Sequence, residues 1–210
     1  MKKVCILDYG MGNVESLKNA IKKIGFEPSL FSNKQKIDTN FLIIPGVGAF
    51  NTAIKILKNK SIDKKINLFL KNKDNFLFGI CLGKQLMYSS SEENEHSEGL
   101  DLIKGDVKLL SKKKFDKLPN VGWKKIEFNN ENLSTFNYLK MYNNEKFYFV
   151  HSYRGIPKNK KNILATSLFK DKKICSIISN NKNILGTQFH PEKSSFIGLD
   201  FLKTVISRYN

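Results

Sequence analysis

Apolar residues are distributed along the first half of the chain in two alternating textures. "VCIL" from Val4, "FLII" from Phe41 and "FLFGI" from Phe76 are short unbroken apolar runs. Between them, apolar positions recur at helical spacing: Val14, Leu17, Ile21 and Ile24, then Phe50, Ala53, Ile54 and Leu57. An unbroken run marks a strand buried on both faces, and a three-to-four spacing marks a helix with one apolar side. Asn13 and Gly25 bracket the first helix as N-cap and stop. Alternation of the two textures predicts a mostly parallel sheet flanked by helices.

From about Asp106 the pattern changes to short strands with few helices: "VKLL", "WKKIEF", "KFYFVHSY", "NILATSLF", "KICSIIS" and "NILGTQF". These predict a short antiparallel or mixed extension of the same sheet. A last helix over 195–208 aligns Leu199, Leu202 and Ile206. Without repeats or a Pro/Ser-rich linker, the expectation is an α/β fold in a single domain over residues 1–210.

Composition narrows the function classes. The net charge of +17 suggests nucleic acid, yet Arg154 and Arg208 are the only arginines. Nucleic-acid sites favour arginine for bidentate contacts, so this dispersed lysine reads as solvated surface, with "KKK" at Lys112 and "KNKKN" at Lys158 in loops. No apolar run reaches membrane-spanning length, and the N-terminus lacks a signal-peptide h-region. A cytoplasmic protein without a membrane partner is expected. Cys5, Cys81 and Cys175 are scattered, which argues against a disulfide framework and a structural metal site.

The ends of the parallel strands carry the candidate chemistry, because sites in such sheets gather there. "DYGMGN", "PGVGAF" and "GICLG" occupy three of these ends. Free cysteine most often becomes a small buried hydrophobe. Gly79-Ile80-Cys81-Leu82-Gly83, however, has the spacing of a nucleophile elbow at a strand–helix junction. A helix N-terminus there would favour the thiolate. Of three histidines, His96 lies in a polar stretch and His151 in an apolar strand. His190 is followed by Pro191 and Glu192, and on extended chain Glu192 can bond one ring nitrogen while the other faces Cys81. That spacing predicts a Cys-His-Glu triad. The Leu82 N–H, after the nucleophile, and the Val47 N–H of PGVG are the candidate oxyanion donors. Read as a phosphate loop, PGVG is too short, and "GMGNVE" at Gly10 is an incomplete dinucleotide fingerprint.

These segments resemble the class I (triad) glutamine amidotransferases, and within them the glutaminase subunits of imidazole glycerol phosphate synthases. The resemblance runs nearly end to end through "ILDYGMGN", "IIPGVGAF", "GICLGKQLM", "SEEN…EGL", "LPNVGW", "FYFVHSY" and "ILGTQFHPEKS". It implies a class I amidotransferase fold that hydrolyses glutamine to glutamate and ammonia. The ammonia goes to a separate (β/α)₈-barrel cyclase, which makes imidazole glycerol phosphate and an aminoimidazole-carboxamide ribonucleotide. No metal or organic cofactor is implied. By the resemblance Gln85 and Glu93 hold the amino-acid end of the substrate, and Gly48, Ser152 and Tyr153 border the pocket. Trp123 and Lys193 face the cyclase. The family also implies that docking of the cyclase completes the active geometry, and the PGVG glycines would let a peptide plane rotate to do so.

Four positions depart from the family pattern: Lys84, where methionine is usual, Asn51, Asn120 and Lys124. The last two lie in a partner-facing segment. They leave open histidine biosynthesis or a paralogous complex amidating a surface-sugar precursor. A catalytically silent assembly partner is a third reading, against which the intact triad counts.

Overall fold

Leu42, Ile44 and Leu77 enter one apolar cluster while Phe41, Ile43, Phe76 and Phe78 enter another, all fully or nearly fully buried. The split follows from strand geometry, which sends successive side chains to opposite faces of the sheet. Unbroken apolar runs are therefore required here, because helices cover both faces. In a computed structural model the protein is described over residues 2–32, 37–111, 117–129 and 134–209.

The first half contributes β1 (Lys3–Leu7), β2 (Glu27–Phe31), β3 (Phe41–Ile44) and β4 (Phe76–Ile80), with helices α1 (Val14–Lys23), α2 (Phe50–Asn59), α3 (Ile62–Phe69) and α4 (Leu82–Leu86) between and after them. The strands β5 (Tyr88–Ser91), β6 (Ser97–Glu98), β7 (Ile103–Leu109), β8 (Asn120–Lys125), β9 (Glu127–Phe128), β10 (Lys146–His151) and β11 (Tyr153–Pro157) follow. The chain continues through β12 (Ile163–Phe169), β13 (Lys172–Ser179), β14 (Ile184–Thr187) and α5 (Ser195–Tyr209).

The main sheet has the order β2-β1-β3-β4-β14-β13-β12-β9. The pairs from β2 to β14 are parallel, and those from β14 through β13 and β12 to β9 are antiparallel. The mostly parallel sheet with its antiparallel extension is thus as expected. Two details differ. β8 and β10 form their own two-stranded ribbon, and β7 joins β11, β5 and β6 in a four-stranded sheet. "VKLL", "WKK" and "KFYFVHSY" therefore build two small sheets rather than prolong the main one. Short polar β5, with the sequence YSSS, and β2, with EPSLF, lack an apolar run, and neither was anticipated.

Helix α1 is capped as expected, with the Ser16 N–H donating to Asn13 Oδ1 at 3.2 Å and Gly25 at φ +90° just beyond its end. It packs with α5 on one face, and α2 and α3 cover the other. The Lys112 run lies outside the described residues, whereas Lys158, Lys160 and Lys161 are exposed as expected.

On α5, Phe201 sits edge-on to Tyr142, Phe147 and Phe189 at centroid separations of 5.1, 5.6 and 5.4 Å. This cluster ties the helix to β10 and to the segment that follows β14. Phe201→Ala is expected to lower unfolding free energy by about 3–5 kcal/mol with an unchanged denaturant slope, as measured by urea titration. A loss below about 1 kcal/mol would show that the cluster repacks.

Candidate active site

Strand order explains why distant segments meet. β4 lies between β3 and β14, with Ile44 opposite Gly79, Gly79 opposite Gly186 and Ile80 opposite Thr187. The chain leaving β4 at Cys81 is consequently flanked by PGVG leaving β3 and by QFHPE leaving β14. The Cys81 N–H donates to the Thr187 carbonyl at 2.7 Å, which extends this pairing to the corner.

Cys81 has φ 53° and ψ −106°, a conformation that non-glycine residues rarely adopt. The glycines on either side allow the turn by leaving space. A Cβ on Gly79 would come within 2.8 Å of the Lys84 nitrogen, and one on Gly83 would overlap the Ile44 carbonyl. Helix α4 then runs for only five residues.

Beside Cys81 is a cavity of about 300 Å³. Val47, Gly48, Cys81, Leu82, Gln85, Glu93, Ser152 and Tyr153 all line it. The sequence had singled out each of them. Gly48 has φ +111°, the left-handed backbone that its glycine identity permits. Glu93 Oε2 accepts the Phe50 N–H at 2.9 Å, and burial raises its pKa while that N–H opposes the rise. Gln85 Nε2 donates to the Tyr153 carbonyl at 3.0 Å. A carboxylate and an amide in the lining of a small cavity suit the ammonium and carboxylate groups of an amino acid.

His190 lies behind the cavity wall, 2% exposed. Its Nδ1 is 2.8 Å from Glu192 Oε1, the expected pairing of acid with ring. Nε2 is buried without a hydrogen-bond partner among the described residues. Burial disfavours the imidazolium, but the Cys81 sulfur and the Glu192 carboxylate outweigh it and raise the His190 pKa. The segment is held by Ser194, whose Oγ donates to the His190 carbonyl at 2.6 Å and accepts the Tyr148 N–H at 2.9 Å. Phe189, stacked 4.1 Å from Phe147, fixes the residue just before it.

The other histidines separate cleanly. His96 is exposed. His151 lines the cavity, donating from Nδ1 to the Tyr153 carbonyl at 2.8 Å and accepting from Asn120 Nδ2 at Nε2, 3.0 Å. Burial lowers its pKa to about 4, so it is a neutral wall residue. Asn120, a departure from the family pattern, is therefore matched to His151. Asn51 lies in the first turn of α2, its Oδ1 accepting the Thr52 N–H at 2.8 Å. Trp123 is 47% exposed, Lys193 is exposed and Lys124 half-buried, and none of them reaches the cavity. Pro119, Val150 and His151 complete the lining, and no spacing rule pointed to them. Lys84 departs most from expectation. It is fully buried, although the lysines read as solvated surface.

The fold is of the α/β class with a mostly parallel central sheet, and its cavity lies beside a strained cysteine at the end of a central strand. Residues 5–198 match the family described as Glutamine amidotransferase class-I. "Imidazole glycerol phosphate synthase subunit HisH 2" of Methanococcus maripaludis is 39% identical over 207 residues, covering 98% of this chain and 99% of that one. "Imidazole glycerol phosphate synthase hisHF, chloroplastic" of Arabidopsis thaliana is 37% identical over 203 residues, 95% of this chain but 33% of the plant protein. Among solved structures, PurLQS from Thermotoga maritima superposes with a TM-score of 0.74 at 17% identity, over 99% of both chains, and so shares the fold. The chain belongs to the class-I glutamine amidotransferases, among the HisH subunits of imidazole glycerol phosphate synthase.

Glu192→Gln keeps the shape of the side chain and removes its charge. Glutamate release is expected to fall about 10- to 10⁴-fold. Because Glu192 raises the His190 pKa, the ring is also expected to titrate at lower pH in an NMR titration of the variant. Wild-type turnover with an unmoved titration would reduce Glu192 to a structural residue.

Proposed function

We propose that the chain is the glutaminase subunit of an imidazole glycerol phosphate synthase. It would hydrolyse glutamine and pass ammonia to a (β/α)₈-barrel cyclase subunit in histidine biosynthesis, in the cytoplasm. One observation carries the reading: a strained cysteine lines a cavity of about 300 Å³, and behind its wall the His190–Glu192 pair stands close enough for the Cys81 sulfur to act on the ring. Relatives covered end to end carry subunit names, whereas the plant relative, of which this chain spans a third, carries the name of the synthase. The subunit names support a partner in trans.

In this mechanism Glu93 and Gln85 hold the amino-acid end of glutamine, with Gly48, Ser152 and Tyr153 closing around it. Cys81 gives its proton to His190 and its sulfur attacks the carboxamide carbon. The oxyanion of the tetrahedral intermediate rests on the backbone N–H groups of Leu82 and Val47. His190 returns the proton to the departing nitrogen, ammonia leaves, and a thioester remains on Cys81. Water deprotonated by His190 then releases glutamate. Trp123 and Lys193, exposed outside the cavity, would meet the cyclase.

A glutaminase running without its cyclase would waste ammonia. A PGVG peptide rotated out of place removes one oxyanion donor, at a cost of about 2.7–4 kcal/mol or roughly 10²–10³ in rate. Glutamate release is therefore expected to rise at least ~10²-fold when the nucleotide-loaded histidine-pathway cyclase is added. Full activity of the chain alone would refute the switch, and activation only by a sugar-pathway barrel would refute the pathway. Cys81→Ala should abolish glutamine-dependent synthesis while the complex still uses added ammonium salt. Residual glutamate release by that variant would overturn the nucleophile.

A further inference from the structure

Lys84 lies on α4, three residues after Cys81, and is fully buried. Its Nζ donates to the Cys175 backbone oxygen at 2.6 Å and to Gln188 Oε1 at 3.2 Å. Gln188, equally buried, directs its Nε2 at Cys81 Sγ, 3.7 Å away. We propose that Lys84 is a positioning residue for the nucleophile, fixing the Gln188 carboxamide with its N–H₂ edge on the Cys81 sulfur. The inference rests on the reading of Cys81 as the nucleophile of the proposed glutaminase.

A carboxamide has two edges of similar shape, one accepting and one donating. Flipping Gln188 would put its oxygen on Cys81 and its N–H₂ on Lys84. A charged lysine offers donors only, and a neutral amine still has two N–H bonds for its two carbonyl acceptors here. The flipped amide would set donor against donor at a charged Lys84, and at a neutral one it would take the lone pair and leave one buried N–H without its acceptor. Gln85 acts in the same direction, with Nε2 donating to the Tyr153 carbonyl and lying 3.5 Å from Gln188 Oε1. The amide is thus oriented from the side away from the sulfur. At the sulfur the orientation has a chemical consequence. An N–H donor favours the thiolate, whereas an oxygen there would hold the proton on the thiol.

The surroundings give Lys84 no other evident task. An unbranched apolar side chain would fill the same space without leaving water at the cost a lysine does. Cys175 on β13, Tyr88 on β5, with its ring centroid 6.0 Å from Nζ, and His151 on β10 face it. Burial lowers the Lys84 pKa, with Cys175 and Cys81 opposing. Cys81 is faced by Tyr9, beyond β1, and by His190, behind which stands Glu192.

The test is the pH dependence of iodoacetamide alkylation of Cys81 in the full chain, followed by peptide mass spectrometry with buried Cys5 and Cys175 as internal controls. Glutamate-release kinetics of the cyclase complex accompany it. Lys84→Met keeps the length of the chain and removes its N–H donors. Its alkylation midpoint is expected to rise by about one pH unit, slowing the reaction roughly tenfold below the midpoint. In the complex kcat should fall about tenfold with KM changed less than about threefold. In a Gln188→Leu background the Lys84 substitution should shift the profile no further, because both lesions remove one interaction. A folded Lys84→Met chain with a wild-type profile overturns the proposal. Should that variant not fold, Gln188→Glu keeps Lys84 paired and removes the donor to sulfur, and an unmoved midpoint there overturns it equally. A wild-type complex that releases no glutamate would reject the glutaminase reading, while the alkylation profiles would still decide the role of Lys84.

Discussion

The site depends on a backbone that cannot relax at one residue. Cys81 at φ 53° and ψ −106° carries strain on the order of 1–3 kcal/mol, which persists only where neighbouring structure over-determines it. Here the restraints are identifiable. The Cys81 N–H is bound by Thr187, its carbonyl accepts the Gln85 N–H at 3.1 Å, and Ile44, Met87 and Lys84 leave no room for side chains at positions 79 and 83. The extended alternative would turn the sulfur off the cavity and leave those backbone groups unmatched. Strain at the corner is how the sheet presents a thiol to the cavity.

The surrounding fold supplies the restraints. Parallel pairing of β3, β4 and β14 in one register brings three loop starts to a common edge, so each loop reaches the cavity over only a few residues. The fourth wall comes from the β10–β11 junction. It is joined to His190 through Ser194 and through the stacked rings of Phe147 and Phe189. A displacement of β10 would therefore move His190 and the pocket wall together. The exposed Trp123 side of the ribbon shares this mechanical link, since β8 pairs with β10 along its whole length.

What could be read in advance follows from how locally each feature is encoded. The elbow, the His-Pro-Glu spacing and the buried strands are written in contiguous residues, and the structure brings them together as their patterns imply. Strand partners past residue 100 are written in contacts between distant segments. Short strands of mixed polarity such as YSSS and EPSLF pair equally well by pattern with several neighbours, so "VKLL" and "KFYFVHSY" gave no sign that they leave the main sheet. His151 and Asn120 show the same limit. Neither has a motif, and their pairing arises only when β8 and β10 align Asn120 opposite His151.

Charge is the property that composition describes worst here. A lysine-rich chain invites the inference that every lysine is solvated, and that holds for loops such as 158–161. Lys84 is the contrary case, because a side chain following a strained corner on a five-residue helix has no path to water. Once it is inside, its donors must be satisfied, and the two acceptors it meets are a strand carbonyl and the amide directed at the Cys81 sulfur. Apolar packing could fill that volume, but it could not choose between the two faces of Gln188. A buried amine whose N–H groups must find acceptors removes the choice, and only the Gln188 side chain stands between it and the Cys81 sulfur.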